Sequence, residues 1–345
     1  MIQDPSNFNA ATEVDPAVRR GRFDAVVELN RQICREHYLL RMRVDPDGPR
    51  FPATEPGQFV QLGCREPELE QDQLLGRDLQ WSADSPPHPG QIELCQSVAY
   101  LRRPFSLSGR GDDEKGTWLE VVHRVVGVGT AWLAELKVGD RLDLIGPLGN
   151  QFDLPEDKSL GLLVGGGVGL PPMFYLAESM KRSGWDGIGF VGAMTQDLLA
   201  VELASDVAPH PEAQPTACVQ EFARHGYPTV VTTDDGTVGL PGWITNGLLR
   251  VLEEISETDA ARAVVFTCGP EMMMQTVMQL ATRFGMDCQV CLEQAMACGM
   301  GTCQSCVVRI EEHEQPHATT GEGRPWRYRL ACTDGPIFPA DQVVW

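Results

Sequence analysis

The chain has 345 residues, of which 42% are hydrophobic and 22% charged. That is longer than one core usually holds and too apolar for wholesale disorder, so two or three domains are expected. Its 28 Lys and Arg stand against 48 Asp and Glu, a net charge of −20, which argues against a general nucleic-acid binder.

The N-terminus has no basic segment followed by an apolar one, so no signal peptide is expected, and residues 1–21 read as a flexible lead-in. From 22 to 155, short β-rich runs alternate with turn signals: Phe23–Leu29, Tyr38–Val44, Gln58–Leu62, Trp118–Val126 and Arg141–Ile145. Such runs without long helical periods predict a small antiparallel barrel or sandwich. Between Arg65 and Glu93 lie seven Asp/Glu against two Arg, an acidic insertion near 65–95 that reads as a solvated loop.

From 156 to 286 the rhythm changes. Leu160–Val164, Gly187–Ala193, Pro228–Thr233 and Ala263–Thr267 are buried-strand runs, and helical stretches at Met173–Ser183, Ile244–Ile255 and Glu271–Phe284 lie between them. That alternation predicts a doubly wound parallel sheet. No run reaches the ~18 apolar residues of a membrane span: Leu160–Phe174 is broken by glycines and by Pro171 and Pro172. The chain therefore reads as cytoplasmic. Residues 287–345 are too rich in cysteine and turns for another ordinary domain and read as a small cluster-binding one.

Eleven cysteines in a reducing compartment point to metal ligands or buried apolar residues rather than disulfides. Cys298, Cys303 and Cys306 form C-x4-C-x2-C, and Cys332 follows after 25 intervening residues. This is the plant-type spacing for a [2Fe–2S] centre. Gly299, Gly301, Thr302 and Ser305 are small enough for the backbone to wrap an inorganic core. Structural zinc, which favours paired C-x2-C hooks, and four merely buried cysteines are the alternatives. Cys288 and Cys291 fall on an expected strand, where residues three apart face opposite ways, so they read as structural.

Gly165-Gly166-Gly167-Val168-Gly169 follows an apolar strand and precedes a helix through Pro171. Such a turn lets a backbone approach a pyrophosphate, although alone it could be an ordinary turn. Cys268-Gly269-Pro270 ends a second strand at the same edge. In the first domain, Arg103, Phe105 and Ser106 could pair with a pyrophosphate, stack on an isoalloxazine and bond a flavin ring atom, while Gly129 and Thr130 open a short helix over Ala131–Leu136. Out of context these would be a strand-edge Arg and a plain turn.

Together, Arg103-Pro-Phe-Ser, Arg124-Val-Val-Gly-Val-Gly-Thr, the glycine turn, Cys268-Gly-Pro, Thr232-Thr-Asp-Asp-Gly-Thr-Val-Gly and Leu292–Cys306 resemble ferredoxin–NAD(P) reductase-like flavoproteins. Within them the chain is most similar to the electron-transfer subunits of type B dihydroorotate dehydrogenase. The resemblance implies FAD at Arg103, Pro104, Phe105, Ser106, Val122, His123, Arg124, Gly129 and Thr130. It implies NAD(H) at Gly165, Gly166, Gly167, Gly169, Pro171, Cys268, Gly269 and Pro270, with Cys268 as a positioning residue near nicotinamide and flavin, and the cluster at Cys298, Cys303, Cys306 and Cys332. It also implies an FMN-containing catalytic partner and a place in pyrimidine biosynthesis. Two departures are the acidic insertion and the long third-to-fourth cysteine gap, where His313, His317 and residues 319–324 could form an added loop.

Three alternatives remain. An oxygenase reductase with a C-terminal ferredoxin domain would need more than the 27 residues between Pro270 and Cys298. A hydrogenase or sulfite reductase flavoprotein subunit shares the architecture, and a non-enzymatic cluster-binding regulator would keep the cysteines and bind no flavin. NAD is expected over NADP because Met194–Glu202 holds no basic residue to meet a 2′-phosphate; Arg224 and His225 lie farther along.

Overall fold

The computed structural model describes residues 20–64, 102–311 and 326–345. The acidic insertion, nearly all of the N-terminal lead-in, and His313, His317 and 319–324 lie outside the described residues.

Six strands form a closed antiparallel barrel: β1 (Gly21–Cys34), β2 (His37–Val44), β3 (Phe59–Leu62), β4 (Arg103–Asp113), β5 (Gly116–Arg124) and β6 (Arg141–Leu148), in the order β1-β2-β5-β4-β3-β6. The period-two pattern explains which faces are buried. Phe23, Ala25 and Val27 of β1 point inward between exposed or half-buried Arg22, Asp24 and Val26. Leu40, Met42, Leu107, Leu119, Val121, Leu142 and Leu144 complete the barrel core. Helix α1 (Val128–Glu135) follows β5. Of these strands β4 was not anticipated, because Gly109, Gly111 and its Arg, Ser and Asp residues hide the β pattern.

The second layer is a seven-stranded sheet. Its strands are β7 (Leu160–Gly166), β8 (Asp186–Ala193), β9 (Thr229–Thr233), β10 (Leu240–Pro241), β11 (Ala263–Cys268), β12 (Asp287–Cys291) and β15 (Ile337–Pro339), ordered β10-β9-β8-β7-β11-β12-β15. All pairs are parallel except β12–β15. Helices α2 (Leu170–Arg182) and α3 (Gln220–Ala223) pack on one face, and α4 (Ile244–Glu254) and α6 (Glu271–Arg283) on the other, while α5 (Glu257–Arg262) leads into β11. Both faces of β7 and β11 are covered, which is why these strands read as continuous apolar runs. The prolines of α2 sit in its first turn, where no backbone donor is lost, and Lys181 and Arg182 close its last turn.

Strands β13 (Val307–Glu311) and β14 (Trp326–Leu330) pair as a separate antiparallel ribbon. By pairing, β12 and β15 belong to the large sheet, so the cysteine-bearing C-terminal segment is stitched into it at two strands. The loop between them rests on a core that includes Phe59 and Leu148 of the barrel. Barrel and sheet are also tied by Tyr175 of α2, whose buried hydroxyl donates to the Thr54 carbonyl at 2.8 Å. Among the described residues no helix is long and apolar enough to cross a membrane.

Candidate functional site

A cavity of 490 Å³ opens between barrel and sheet. Arg103, Pro104, Phe105 and Ser106 of β4, Val122, His123 and Arg124 of β5, and Gly129 and Thr130 of α1 all line it. These are the nine residues expected at a flavin. Val168 and Pro171 form the sheet side, and Cys291–Gln294, Met296 and Pro336 the C-terminal side.

Arg124 is held by Glu36, with Nε donating to Oε2 at 2.9 Å. The Thr130 hydroxyl donates to the Gly127 carbonyl at 3.0 Å and accepts from the Val126 N–H at 2.9 Å, so it braces the turn. His123 is 1% exposed, stacks on Tyr38 at 5.6 Å, and has no partner at either ring nitrogen. Burial, reinforced by nearby His37, pushes its pKa down to about 4, so the ring is neutral near pH 7. An orphaned buried imidazole in the wall, beside an Arg, a Ser and an aromatic ring, fits an isoalloxazine and its phosphates.

A second cavity of 680 Å³ lies over the carboxyl ends of the parallel strands, where a nucleotide binds in this kind of sheet. Of the residues expected at NAD(H), Gly166, Gly167, Gly269 and Pro270 line it. Pro171 lines the first cavity instead. Gly165, Gly169 and Cys268 line neither. Gly169 is behind the wall for a steric reason: a Cβ there would fall 2.1 Å from the Cys268 carbonyl oxygen. Cys268 is 1% exposed and register-paired with Cys291 of β12. A hydrogen bond from the Cys268 S–H to Cys291, with burial, keeps the Cys268 thiol protonated.

The rest of this cavity comes from residues that the sequence reading assigned to no cofactor: His37, Met194, Asp234, Trp243, Thr245, Met272 and Glu293. Trp243 is 70% exposed, an indole face open to a ligand. Burial and neighbouring Asp235 push the Asp234 carboxyl up. Arg124, Val168 and Glu293 line both cavities and mark where they meet. Burial pushes the Glu293 carboxyl up.

In the cysteine loop, the N–H groups of Met300 and Cys303 donate to Cys298 Sγ at 3.3 and 3.4 Å, and the Cys332 N–H donates to Cys306 Sγ at 3.4 Å. Side-chain hydrogen bonding joins the thiols as Cys298 with Cys303 and Cys306 with Cys332. Ser305 Oγ, 3.2 Å from Cys303 Sγ, pulls that thiol down to about 6, while burial and then Cys306 push Cys332 up to about 12. Among the described residues no three His, Cys, Asp or Glu side chains surround one ion-sized point. Two pairs of thiols fit a two-iron cluster, in which each iron takes two thiolates. Cys288 and Cys291 lie on opposite faces of β12: Cys291 is in the core under α2, while Cys288 packs against two others, one of which holds Cys306 and Cys332.

The family model for the iron-sulfur cluster binding domain of dihydroorotate dehydrogenase B matches residues 293–344. The chain is 34% identical over 263 residues to the dihydroorotate dehydrogenase B (NAD(+)) electron transfer subunit of Caldanaerobacter subterraneus subsp. tengcongensis, covering 75% of this chain and 88% of the relative. The subunit of Desulforamulus reducens is 28% identical over 323 residues, covering 94% and 98%. In fold, the chain is similar to an NADH-dependent reduced ferredoxin-NADP oxidoreductase (TM-score 0.66, 24% identity, 93% and 90% covered). It is also similar to phthalate dioxygenase reductase, described as passing electrons from pyridine nucleotides to [2Fe-2S] (TM-score 0.52, 16% identity, 84% and 87% covered).

Proposed function

Because the chain belongs to the family of dihydroorotate dehydrogenase B electron transfer subunits, we propose that its two cavities and its cysteine loop form one electron path. The chain is the NAD(H)-linked, FAD- and [2Fe–2S]-carrying subunit of an oxidoreductase, passing electrons to or from an FMN-containing dihydroorotate dehydrogenase catalytic subunit in pyrimidine biosynthesis. The observation that carries this reading is the meeting of the two cavities at Arg124, Val168 and Glu293, with Met296, just ahead of the cysteine loop, in the wall of the first.

FAD supplies the change of stoichiometry, since it exchanges a hydride with nicotinamide and single electrons with an iron–sulfur centre. The protein's own residues do the rest. Arg103 offers charge-assisted bonds to the pyrophosphate, and the Gly129–Thr130 turn offers backbone donors, with the Thr130 hydroxyl braced inside it. Phe105 and the neutral His123 wall the isoalloxazine and keep water from it. The Gly166–Gly167 turn admits the dinucleotide backbone. Gly169 and Cys268 act indirectly, by letting two strand ends approach. Cys298, Cys303, Cys306 and Cys332 are the cluster ligands.

The same reading divides the chain into a flavin barrel (22–155), a nucleotide-binding unit (156–286) and a cluster unit (287–345) that shares the large sheet, and places it in the cytoplasm. NAD(H) is favoured over NADP(H) because, among the described residues, Arg124 is the one Lys or Arg lining the second cavity and it is engaged by Glu36. Arg224 and His225 do not line it.

The decisive assay reconstitutes the chain with the catalytic subunit and measures dihydroorotate-dependent NAD⁺ reduction. The isolated chain should reduce an artificial acceptor with NADH; its failure to do so with FAD bound defeats the reading. Cys303→Ser should lose iron and keep flavin, whereas Cys288→Ser and Cys291→Ser keep both. Iron loss from Cys291→Ser but not from Cys303→Ser would show the ligand set to be wrong.

A further inference from the structure

Gln61 belongs to the barrel by its backbone and to the cysteine loop by its side chain. On β3 it pairs with Pro104 of β4, a wall residue of the first cavity. Its side chain, fully buried, leaves the barrel. Nε2 donates to the carbonyl oxygen of Ala297, the residue before Cys298, at 3.5 Å and across 236 positions of sequence. The next turn of the loop lies against the same amide. A Cβ on Gly299 would fall 2.8–3.0 Å from its Cδ, Nε2 and Oε1, and Gly299 has φ +67°, so glycine alone lets the loop come this close. The Ala297 carbonyl also fixes the amide's orientation, because the reverse would set two oxygens face to face. In that orientation Oε1 is buried without a partner. A half-satisfied buried amide is uncommon and marks a place with a demand beyond packing.

Resting on the reading that Cys298 and its companions hold the cluster, we propose that Gln61 is a positioning residue that ties the flavin barrel to the cluster loop. Its amide holds the backbone at 297–299, and through it the Cys298 thiolate, at a set distance from the strand that carries the flavin. The step it serves moves one electron from the reduced flavin to the oxidised cluster; Gln61 itself gains and loses nothing. Hydrogen bonding and water access around the sulfurs set a cluster's potential, so the same contact should tune that potential.

The test uses the purified full chain carrying FAD and cluster. Gln61→Met keeps length and bulk and removes the amide. Gln61→Glu keeps a donor and an acceptor while neutral, the form burial favours. In Gln61→Met, flavin and iron content and the rate of flavin bleaching by NADH should match wild type. The electron paramagnetic resonance spectrum of the reduced cluster should shift, and flavin-to-cluster transfer should slow about tenfold. Gln61→Glu should return both toward wild type. A Gln61→Met protein with wild-type spectrum and wild-type transfer rate overturns the proposal. If Gln61→Met loses its iron, Gln61→Glu decides: a wild-type spectrum supports the proposal and a shifted one overturns it. Absence of flavin or iron from the wild-type chain would instead defeat the underlying reading of function.

Discussion

The two cavities meet at three residues yet are built by different means. The first is walled mainly by strand side chains: all the residues expected at the flavin line it, Arg103–Ser106 from β4 and Val122–Arg124 from β5, with Gly129 and Thr130 added by α1. The second is permitted by small residues and walled by others. Its glycine turn and Cys268-Gly-Pro contribute five lining residues, Gly166, Gly167, Val168, Gly269 and Pro270, while Gly169 and Cys268 serve the approach of two backbones from behind. A motif of side chains thus marks contacts directly, whereas a motif of glycines marks where backbones come close and leaves the contacts to distant residues such as Asp234 and Trp243.

The sharpest test of that contrast is Gly169→Ala. Its methyl would meet the Cys268 carbonyl, which cannot move without shifting β11, so a loss of ~3 kcal/mol in stability is expected, with NADH binding impaired and flavin retained. Chemical denaturation and flavin absorbance measure both. Flavin loss with intact NADH binding would reverse the assignment of the two cavities.

A pH titration tests the wall of the first cavity. His123 has its folded pKa depressed to about 4 from an ordinary 6.5. Its neutral form therefore stabilises the fold fully above about 6.5, and that contribution is lost as pH falls from 6.5 to 4. The full drop is roughly 3 kcal/mol, and His123→Leu should flatten this part of the stability–pH curve. An equally steep curve in the variant would show that the ring is not held neutral; the depressed pKa of His225 supplies a separate slope in both proteins.

Arg103→Ala removes a charge-assisted bond to a phosphate, for which ~2 kcal/mol, or about 30-fold in FAD affinity, is expected without change in iron content. Equilibrium dialysis against FAD reads it. The smallest effect concerns the second cavity: Asp234→Asn removes a carboxylate that would repel a 2′-phosphate. NADPH should gain on NADH by about fivefold in kcat/KM, roughly 1 kcal/mol. An unchanged ratio would place the adenosine half elsewhere in that cavity.

The same contrast explains what the sequence reveals. The parallel sheet is legible because its central strands are apolar on both faces, and the barrel because short β-rich runs alternate with turn signals and carry no long helical period. Strand β4 is not, since its glycines and charged residues break the pattern, and nothing local announces that β15 returns to pair with β12. The proposed cysteine ligands stand out because their spacing is itself the chemistry. His37 and Trp243 stand alone in the sequence, Asp234 and Glu293 sit in motifs that do not announce a contact, and only the packing of barrel on sheet gathers them. Gln61 is the extreme case: an ordinary polar residue in a strand, given a role by a loop 236 positions away.

The central claim is that electrons cross from nicotinamide through flavin to the cluster within this one chain. Anaerobic addition of NADH to the purified protein, followed by visible and electron paramagnetic resonance spectra, tests it most directly. The flavin band should bleach, and the signal of a reduced [2Fe–2S] centre should follow. Flavin that bleaches while the cluster stays oxidised, or that does not bleach at all, would contradict that claim.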